Sequence, residues 1–524
     1  MKRGRRTTVV IVASGMVVAA CGSSPSATSA TTTTSAAGGQ SSTVLKLAAT
    51  FLPSAIDPAQ GIDAIFSFEE TLTQITASGK AVPFLLSAPP TQTSADTWTL
   101  DLRPNVTFED GHHMTAAIVA AGMNREERLS DTTKTILPGA VFTATGPLQL
   151  TVTTPNTVLL MPYLLADPSL AVYDEPVVAA AGTGPDALVG KGVFTAPYAI
   201  TKFTSTEMDL VRYNNYWQGR PALAGIDVTQ VSDPTARAQS VLSGQEDIAD
   251  GSNSPQVRNL IKGNSNVTLT LSAAPQGSYP LYFNPSTAPL NDVNVRRAVA
   301  LALDYQTLAP QFTGGVDSAA TGLLPPGFPL ATPIQHQNVA EAKQLLQAAG
   351  WTGTGIRTKG GVPLELTLLI YNSRPLLQPL SIGIQSELAK VGIGVKINDI
   401  PYSSTMYNNA STWNLALYHN YAVSPTGVLD PYLATEVGTG GSANNWHISD
   451  PHLDSLLSTL SKVSNQAARA TALNNALKYI WNQAYVVNVA FERDGSLVGK
   501  QWQGYTPDNG GQEGDWNWKT APTQ

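Results

Sequence analysis

The stretch LELTLLIYNSRPLLQPLSIGIQSELAKVGIGVKINDI, residues Leu364–Ile400, contains the pattern that decides the fold. Its first nine residues, LELTLLIYN, are mostly apolar and are typical of a buried strand. From Leu380 onward the apolar residues recur at helical spacing, and the glycines of VGIG end that helix before a second strand. Helices and strands alternate in the same way through the second half of the chain. We therefore expect an α/β fold.

The composition is that of a large, weakly charged and mildly acidic protein. Of the 524 residues, 42% are hydrophobic and only 13% are charged, and the formal net charge is −7. A chain of this length exceeds what a single hydrophobic core supports, so at least two domains are expected. A mildly acidic chain without basic clusters argues against nucleic acid as a partner.

The N-terminal segment has the organisation of an export signal. A basic start, Lys2 to Arg6, precedes the apolar segment Thr7–Ala20, which is too short to span a membrane. The only cysteine, Cys21, follows three small residues directly, and this arrangement resembles the bacterial lipobox, in which the cysteine is lipidated. Residues 23–43 carry no charge and too little apolar surface to fold. We predict a location on the outer face of the cytoplasmic membrane, with a signal peptide at 1–20, lipidation at Cys21 and a flexible tether at 21–43.

Several separate stretches resemble one protein family and occur in that family's order. They are SAIDPA (Ser54–Ala59), GKAVPFLLSAPPTQTSADTWTLDLRPNVTFEDGHHMTA (Gly79–Ala116), YNNYWQGRPALAGIDVTQVSDPTARAQSVLSGQEDIAD (Tyr213–Asp250), LYFNPSTAPLNDVNVRRAVALALD (Leu281–Asp304), and NVAEAKQLLQAAGW with the SIGIQSELAKVGIGVKI that follows it. Together they are similar to the extracytoplasmic solute-binding proteins of oligopeptide, dipeptide and nickel importers, known as family 5. The chain departs from that pattern at FTAPY, where the family usually has GTGPY, and at SGQED, where it has SGE.D.

The resemblance implies a two-lobed periplasmic-binding-protein fold (type II-like, cluster C) with an extra domain on the first lobe. A ligand would be enclosed between the lobes, because it stabilises the closed state only through contacts made there. The expected partners are a peptide or similar polar solute and ABC permease subunits with cytoplasmic ATPases, with a monomeric chain and no cofactor. The expected boundaries are 44–275 plus 497–524 for lobe I, about 62–180 for its extra subdomain, and 276–496 for lobe II.

The sequence lacks the usual signatures of an enzyme. It contains no Gly-x-Ser-x-Gly elbow and no His-Glu-x-x-His motif, and GPDALVGKG (Gly184–Gly192) is a near miss to a phosphate-binding loop. We interpret the acidic pairs Glu69-Glu70 and Glu126-Glu127 as solvated helix faces. We expect no enzymatic activity. A ligand-binding sensor or chaperone without transport, and an exported hydrolase, stay open as alternatives.

The resemblance also suggests ligand-contacting residues. Peptide-binding members pair an aspartate with the ligand's α-amino group, but Ser424 falls near that position here. Because a buried ammonium needs an anionic partner, either another carboxylate serves or the ligand is not a free-amine peptide. Arg374 could pair with a ligand carboxylate or lie solvated in a loop. The candidate set is Phe51, Ser54, Tyr282, Asn284, Arg374, Tyr418, His419, Asn420, Tyr421, Ser424, Asn444, Asn445 and Trp446, and for the strand-end members the alternative is packing at a domain edge.

The histidines do not predict a direct metal site. His112 and His113 are adjacent, and neighbouring side chains on a strand point to opposite faces, so the pair would chelate poorly. His419 and His447 could both face the cleft, but they have no partner cysteine. We expect no metal bound directly by the protein. A metal held by an organic chelator remains an open alternative.

Overall fold

A computed structural model describes residues 42–60, 67–76, 79–272, 275, 277–328, 330–374, 376–403, 405–420, 429–463, 465–507 and 516–523. The predicted signal peptide, Cys21, nearly all of the tether, Tyr421 and Ser424 lie outside the described residues. Within those ranges the chain is mixed α/β, as the sequence predicts. None of the helices found there combines the length and the apolar character needed to cross a membrane.

The strands and helices follow each other along the whole described chain. The strands are β1 (Val44–Ala49), β2 (Thr73–Ile75), β3 (Ala81–Pro83), β4 (Thr91–Gln92), β5 (Thr97–Asp101), β6 (Val141–Ala144), β7 (Gln149–Thr153), β8 (Tyr198–Phe203), β9 (Glu207–Arg212), β10 (Gly225–Gln230), β11 (Ile248–Ala249), β12 (Val267–Leu271), β13 (Gly277–Phe283), β14 (Ser318–Ala319), β15 (Thr358–Lys359), β16 (Val362–Pro363), β17 (Glu365–Tyr371), β18 (Gly394–Ile400), β19 (Leu415–Leu417), β20 (Val486–Glu492) and β21 (Gly495–Gly499). The α-helices are α1 (Ala116–Leu129), α2 (Asp131–Ile136), α3 (Met161–Leu164), α4 (Glu175–Ala181), α5 (Pro234–Leu242), α6 (Pro255–Ile261), α7 (Val293–Ala302), α8 (Tyr305–Phe312), α9 (Val339–Ala348), α10 (Leu377–Ala389), α11 (Asp430–Val437), α12 (Pro451–Leu460) and α13 (Gln466–Gln483).

The stretch Leu364–Ile400 folds as the predicted strand, helix and strand. β17 pairs in parallel with β18, and α10 connects them. The apolar positions of α10, including Leu380, Ile384 and Leu388, are buried against the sheet. Gly392 has a φ of 88°, and an added Cβ there would lie 2.6 Å from the carbonyl oxygen of Gly355. Only glycine fits such a turn without strain, which explains why the helix ends there.

Two mixed sheets form the framework that positions the site. The first sheet has the strand order β12-β21-β11-β1-β10-β9-β8, with β1 parallel to both β10 and β11. The second sheet has the order β14-β20-β13-β19-β17-β18, with β17 parallel to both β18 and β19. Each sheet has its own buried apolar clusters. The chain passes from one sheet to the other between β12 and β13 and returns between β20 and β21.

The two connections run beside each other and are joined by hydrogen bonds. The amide of Ser272 donates to the carbonyl of Asp494 at 2.8 Å, and Nε of Arg493 donates to the carbonyl of Ser272 at 2.7 Å. Nδ2 of Asn253 also donates to the carbonyl of Arg493, at 2.8 Å. Two hydrogen-bonded strand crossings therefore link the two sheets.

A third sheet lies early in the chain and has a core of its own. It is antiparallel, with the order β4-β5-β7-β6, and packs with α1 to α3 around one apolar cluster. Thr115 caps α1 by accepting a hydrogen bond from the amide of Ile118, as the sequence indicates. Buried polar contacts join this unit to the first sheet. Among them, Glu70 accepts hydrogen bonds from the hydroxyls of Thr195 and Tyr216 and from Nε1 of Trp217.

Candidate ligand-binding site between the two sheets

Loops at the carboxyl ends of parallel strands bring the candidate site together. In the second sheet, β17, β18 and β19 run in one direction, and their ends lead into Arg374, Tyr402 and Tyr418 respectively. In the first sheet, β1 and β11 are parallel and lead into Thr50 and Asp250. Ligands of open α/β sheets bind outside such carboxyl ends.

Asp250 marks the edge of the first sheet. Its Oδ1 accepts hydrogen bonds from the amide and the hydroxyl of Thr50, both at 2.8 Å, and lies 3.5 Å from Nε of Arg237. Burial raises the pKa of Asp250, while the charge of Arg237, these hydrogen bonds and the charge of Arg374 act in the opposite direction. Because Arg374 follows a strand of the second sheet, its influence on Asp250 indicates that Arg374 lies within electrostatic reach of the edge of the first sheet.

A buried His–Glu pair lies where the chain crosses between the sheets. Nε2 of His419, which follows β19, hydrogen-bonds to Oε2 of Glu492 at the end of β20. The hydroxyl of Tyr279 donates to the other Glu492 oxygen at 2.7 Å. An added Cβ on Gly277 would lie 2.7 Å from Nε2 of His419, so the backbone at the start of β13 closes over the pair.

The pair is an ionised carboxylate held by neutral donors and a nearby cation. Burial lowers the pKa of His419, which favours a neutral imidazole whose Nε2–H donates to Glu492. Burial acts to raise the pKa of Glu492, but the interactions with His419, the charge of Arg374 and the Tyr279 hydrogen bond outweigh it and lower that pKa. Arg374 therefore acts electrostatically on a carboxylate at each of the two edges.

An aromatic wall lies beside these charges. We use this name for Tyr371, Tyr402, Tyr407, Tyr418 and Trp446, whose rings form a chain of contacts. The centroid distances are 5.1 Å for Tyr371–Tyr402, 5.7 Å for Tyr371–Tyr418, 6.0 Å for Tyr407–Tyr418 and 4.9 Å for Tyr407–Trp446. Tyr402 keeps 51% of its surface exposed, so part of the wall is open to solvent.

The carboxylate of Glu436 holds Trp446 of the aromatic wall, and two of the residues near it, by hydrogen bonds. The carboxylate accepts hydrogen bonds from the hydroxyl of Tyr282 at 2.8 Å, Nε1 of Trp446 at 3.2 Å and Nδ2 of Asn420 at 3.3 Å. Burial raises the pKa of Glu436, and the three hydrogen bonds act against that shift. The ring of Tyr282 is stacked on that of Trp446, with centroids 3.6 Å apart and an interplanar angle of 7°. One carboxylate therefore fixes three of the sequence-predicted residues.

The structure brings together only part of the predicted candidate set. Tyr282, Tyr418, His419, Asn420 and Trp446 belong to the groups just described, and Arg374 is half-buried and acts electrostatically on Glu492. Phe51 is half-buried and packs on the core of the first sheet, while Ser54 is exposed.

The predicted asparagines have structural contacts of their own. Nδ2 of Asn284 donates to the carbonyls of Ala410 and Trp413, and Asn284 lies at the end of β13 that is remote from Gly277. Nδ2 of Asn444 donates to two carbonyls of its own loop. Asn445, next to it, is half-buried.

The two histidines expected near the cleft use Nε2 for contacts within the protein. Nε2 of His419 bonds to Glu492, and Nε2 of His447 lies 3.0 Å from the carbonyl of Tyr407. Sequence reasoning did not single out Asp250, Glu436 or Glu492. A signal was present for Asp250, because it ends the motif SGQEDIAD directly after a predicted strand.

Comparison with known proteins identifies relatives of this chain. Residues 80–444 match the family model described as bacterial extracellular solute-binding proteins, family 5 Middle. The nickel-binding protein NikA of Staphylococcus aureus is 25% identical over 414 residues, covering 78% of this chain and 80% of that protein. The glutathione-binding protein GsiB of Salmonella typhi is 24% identical over 432 residues, covering 79% and 81% respectively.

Solved structures share the fold over nearly their full length. The crystal structure of NikA from S. aureus in complex with Ni(L-His)2 has a TM-score of 0.74 at 22% identity, covering 91% of this chain and 99% of that one. The oligopeptide-binding protein AppA of Bacillus subtilis, in complex with a nonapeptide, has a TM-score of 0.70 at 16% identity, covering 93% and 100% respectively.

Proposed function

This chain belongs to the bacterial extracellular solute-binding proteins of family 5, and we propose that it captures a peptide or similar polar solute between two hinged lobes. Its fold is the two-lobed periplasmic-binding-protein fold of that family, as predicted. Members of the family are the substrate-binding components of ABC importers and act outside the cytoplasm.

The carboxyl edges of the two sheets support enclosure of the cargo. We propose that lobe I comprises 44–275 and the C-terminal segment, that its extra subdomain covers about 62–180, and that lobe II begins at 276. Strands of the first sheet come from 44–271 and 495–499, and those of the second from 277–492. The two crossings would act as the hinge, because a few connecting residues can absorb the rotation of whole lobes.

One observation supports the choice of cargo. The charge of Arg374 acts on a carboxylate at each of the two edges and on Tyr371 of the aromatic wall. A guanidinium in this setting suits a ligand carboxylate, and the aromatic faces suit the body of an organic solute. The carboxylates of Asp250 and Glu492, one at each edge, would attract a ligand ammonium group. A zwitterionic solute such as a peptide would match this distribution of charge.

A second cargo, a small organic chelate of a metal ion, is favoured by a different observation. The name of one relative and the complex of one similar structure both refer to nickel, and there the ion is carried by histidine molecules. Here His419 and His447 both use Nε2 for contacts within the protein. A metal entering this site would therefore bring its own ligands, and a carboxylate of the chelator would contact Arg374.

Replacing Arg374 tests the cargo-binding role. Arg374→Met should weaken binding by about tenfold or more, because a hydrogen bond to a charged group contributes about 1.5–3 kcal/mol. The cargo is first identified by mass spectrometry of small molecules extracted from the purified protein. It is then titrated by calorimetry beside a second probe, Ni²⁺ with L-histidine. Arg128→Met, an exposed arginine on α1, is the matched control and should bind like the wild type.

The outcomes separate the alternatives. Equal affinities of the wild type and Arg374→Met for the cargo would show that Arg374 does not contact it. Binding of Ni²⁺ with L-histidine but of no peptide would select the second cargo. Product formation from a bound compound would favour the exported hydrolase. Unchanged uptake of the identified cargo in a deletion strain would favour a sensor or chaperone without transport.

We also propose a lipid anchor at Cys21, on the strength of the sequence before it. Cys21→Ser should release the protein from the washed membrane fraction into the soluble extracytoplasmic fraction, because the acyl chains supply the membrane affinity. Ser23→Ala is the control and should stay with the membrane. Mass spectrometry of the mature N-terminus measures the modification directly. A Cys21→Ser protein that remains membrane-bound contradicts the anchor.

A further inference from the structure

A hairpin turn remote in sequence from the residues of the cleft places two potential ligands side by side. The amide of Phe108 donates to the carbonyl of His112, and the amide of Gly111 donates to the carbonyl of Phe108. Gly111 has a φ of 94°, which allows the tight turn. The amide of Asp110 donates to the carbonyl of Gly192 at 2.9 Å. The turn that carries Asp110 and His112 is therefore held in place by the backbone.

Asp174 approaches this turn from another part of the chain. It is the N-cap residue of α4, a position where an aspartate side chain normally accepts a hydrogen bond from the helix, but it makes no such bond. Its side chain is only 2% exposed, and Oδ2 lies 2.8 Å from Nδ1 of His112. The amide of Asp174 is bonded to the carbonyl of Val193. The carboxylate is thus directed at His112 instead of capping its own helix.

Two carboxylates converge on a single imidazole nitrogen. Nδ1 of His112 is 2.8 Å from Oδ2 of Asp174 and 3.2 Å from Oδ2 of Asp110. One ligand atom from each of the three residues lies within 4.8 Å of the others. A nitrogen carries at most one proton and can satisfy only one of the two carboxylates fully. A cation at the centre would be attracted by both and would remove their mutual repulsion.

We propose that Asp110, His112 and Asp174 bind a divalent transition-metal ion, for which Zn²⁺ is the probe. An imidazole nitrogen and carboxylate oxygens are accepted ligands of this ion, and His112 is exposed enough to admit water as a further ligand. Sequence reasoning set His112 aside because it would chelate poorly together with its neighbour His113. The partner the structure supplies is Asp174, which lies 62 positions further along the chain.

The proposed site is separate from solute capture and has a structural consequence. The ion would fasten the turn at residues 108–112 to the start of α4, beside the backbone at 192–193. A metal ion that binds the folded protein and not the unfolded chain raises the free energy of unfolding by RT ln(1 + [L]/Kd). We therefore expect Zn²⁺ to raise the melting temperature of the protein whether or not its cargo is present.

The test titrates Zn²⁺ into the tag-free, chelator-treated full protein by calorimetry and counts bound ions by native mass spectrometry. The wild type should bind one Zn²⁺ at this site, and His113→Ala, the matched control, should bind it equally. His112→Ala and Asp174→Asn should bind Zn²⁺ about tenfold or more weakly and lose the rise in melting temperature. His112→Ala removes a mostly exposed side chain, so it keeps the test valid if Asp174→Asn does not fold.

Two results would overturn the proposal. The first is a wild-type protein that binds no Zn²⁺. The second is His112→Ala binding Zn²⁺ as tightly as the wild type does. Neither of these results bears on whether the cleft binds an organic solute, so failure here leaves the proposed function intact.

Discussion

Replacing Arg125 by Met is expected to lower the free energy of unfolding by about 3–5 kcal/mol. Nη1 and Nη2 of Arg125 donate to the two carboxylate oxygens of Asp57 at 2.8 and 2.6 Å. Nη1 also lies 3.4 Å from Oε1 of Glu126 and 3.3 Å from the hydroxyl of Tyr173. The side chains of Arg125 and Asp57 are only 11% and 5% exposed. Removing the cation would leave the buried carboxylates of Asp57 and Glu126 without the positive charge that now faces them.

Denaturant unfolding measures this loss of stability. Two further variants separate the loss of the buried ion pair from the loss of an arginine as such. Arg128→Met removes an exposed arginine from the same helix and should change the stability by no more than about 0.5 kcal/mol. Arg125→Lys keeps the charge but not the planar fork, and should fall between the wild type and Arg125→Met. If Arg125→Met loses no more stability than Arg128→Met, the bidentate Arg125–Asp57 pair does not hold the unit of the third sheet and α1 to the loop after β1.

Glu126, next to this arginine, shows where local sequence reasoning is wrong. The pair Glu126-Glu127 was interpreted as a solvated face, but Glu126 is fully buried, and its Oε1 accepts a hydrogen bond from the hydroxyl of Tyr173 at 2.5 Å. Burial raises its pKa to about 7, against the opposing effects of Tyr173 and Arg125. The pair Glu69-Glu70 is buried as well. The residues that cover Glu126 come from distant segments, so the helix pattern of α1 alone does not reveal them.

The elements that the sequence predicted well are those stabilised by neighbours in the chain. The strand, helix and glycine turn at Leu364–Ile400 and the Thr115 cap depend on interactions a few residues apart. The site is different, because its contacts join residues far apart in sequence. Tyr279 and Glu492, for example, are separated by 213 positions.

His419 illustrates the limit of reasoning from strand ends. Its position after β19 correctly puts it at the carboxyl edge of the second sheet, where it was expected to face the cleft. It is only 4% exposed, because Glu492 comes from a neighbouring part of the same sheet 73 residues later and binds its imidazole. A strand's end can be predicted from its own pattern, but the partner it meets depends on the order of strands in the sheet.

Trp446→Ala is expected to cost about 3–5 kcal/mol of stability, because the ring is 2% exposed and closely packed. It stacks on Tyr282 and contacts Tyr407, and its Nε1 is one of three donors to the buried carboxylate of Glu436. The substitution would leave a cavity and also remove a donor from that carboxylate. The free energy of unfolding from denaturant titration, followed by near-ultraviolet circular dichroism, measures the loss.

Two neighbouring variants separate packing from hydrogen bonding at this position. Trp446→Phe keeps most of the ring but not the N–H, so it should cost about 1–2 kcal/mol. Asn445→Ala, on a half-buried side chain one residue earlier, should cost less than about 1 kcal/mol. If Trp446→Ala is no more harmful than Asn445→Ala, the aromatic wall is not supported by Glu436. If Trp446→Ala lowers the free energy of unfolding as expected while Trp446→Phe still binds the cargo, the aromatic wall contributes to binding through its ring faces. The role of Glu436 is then to hold those rings in place.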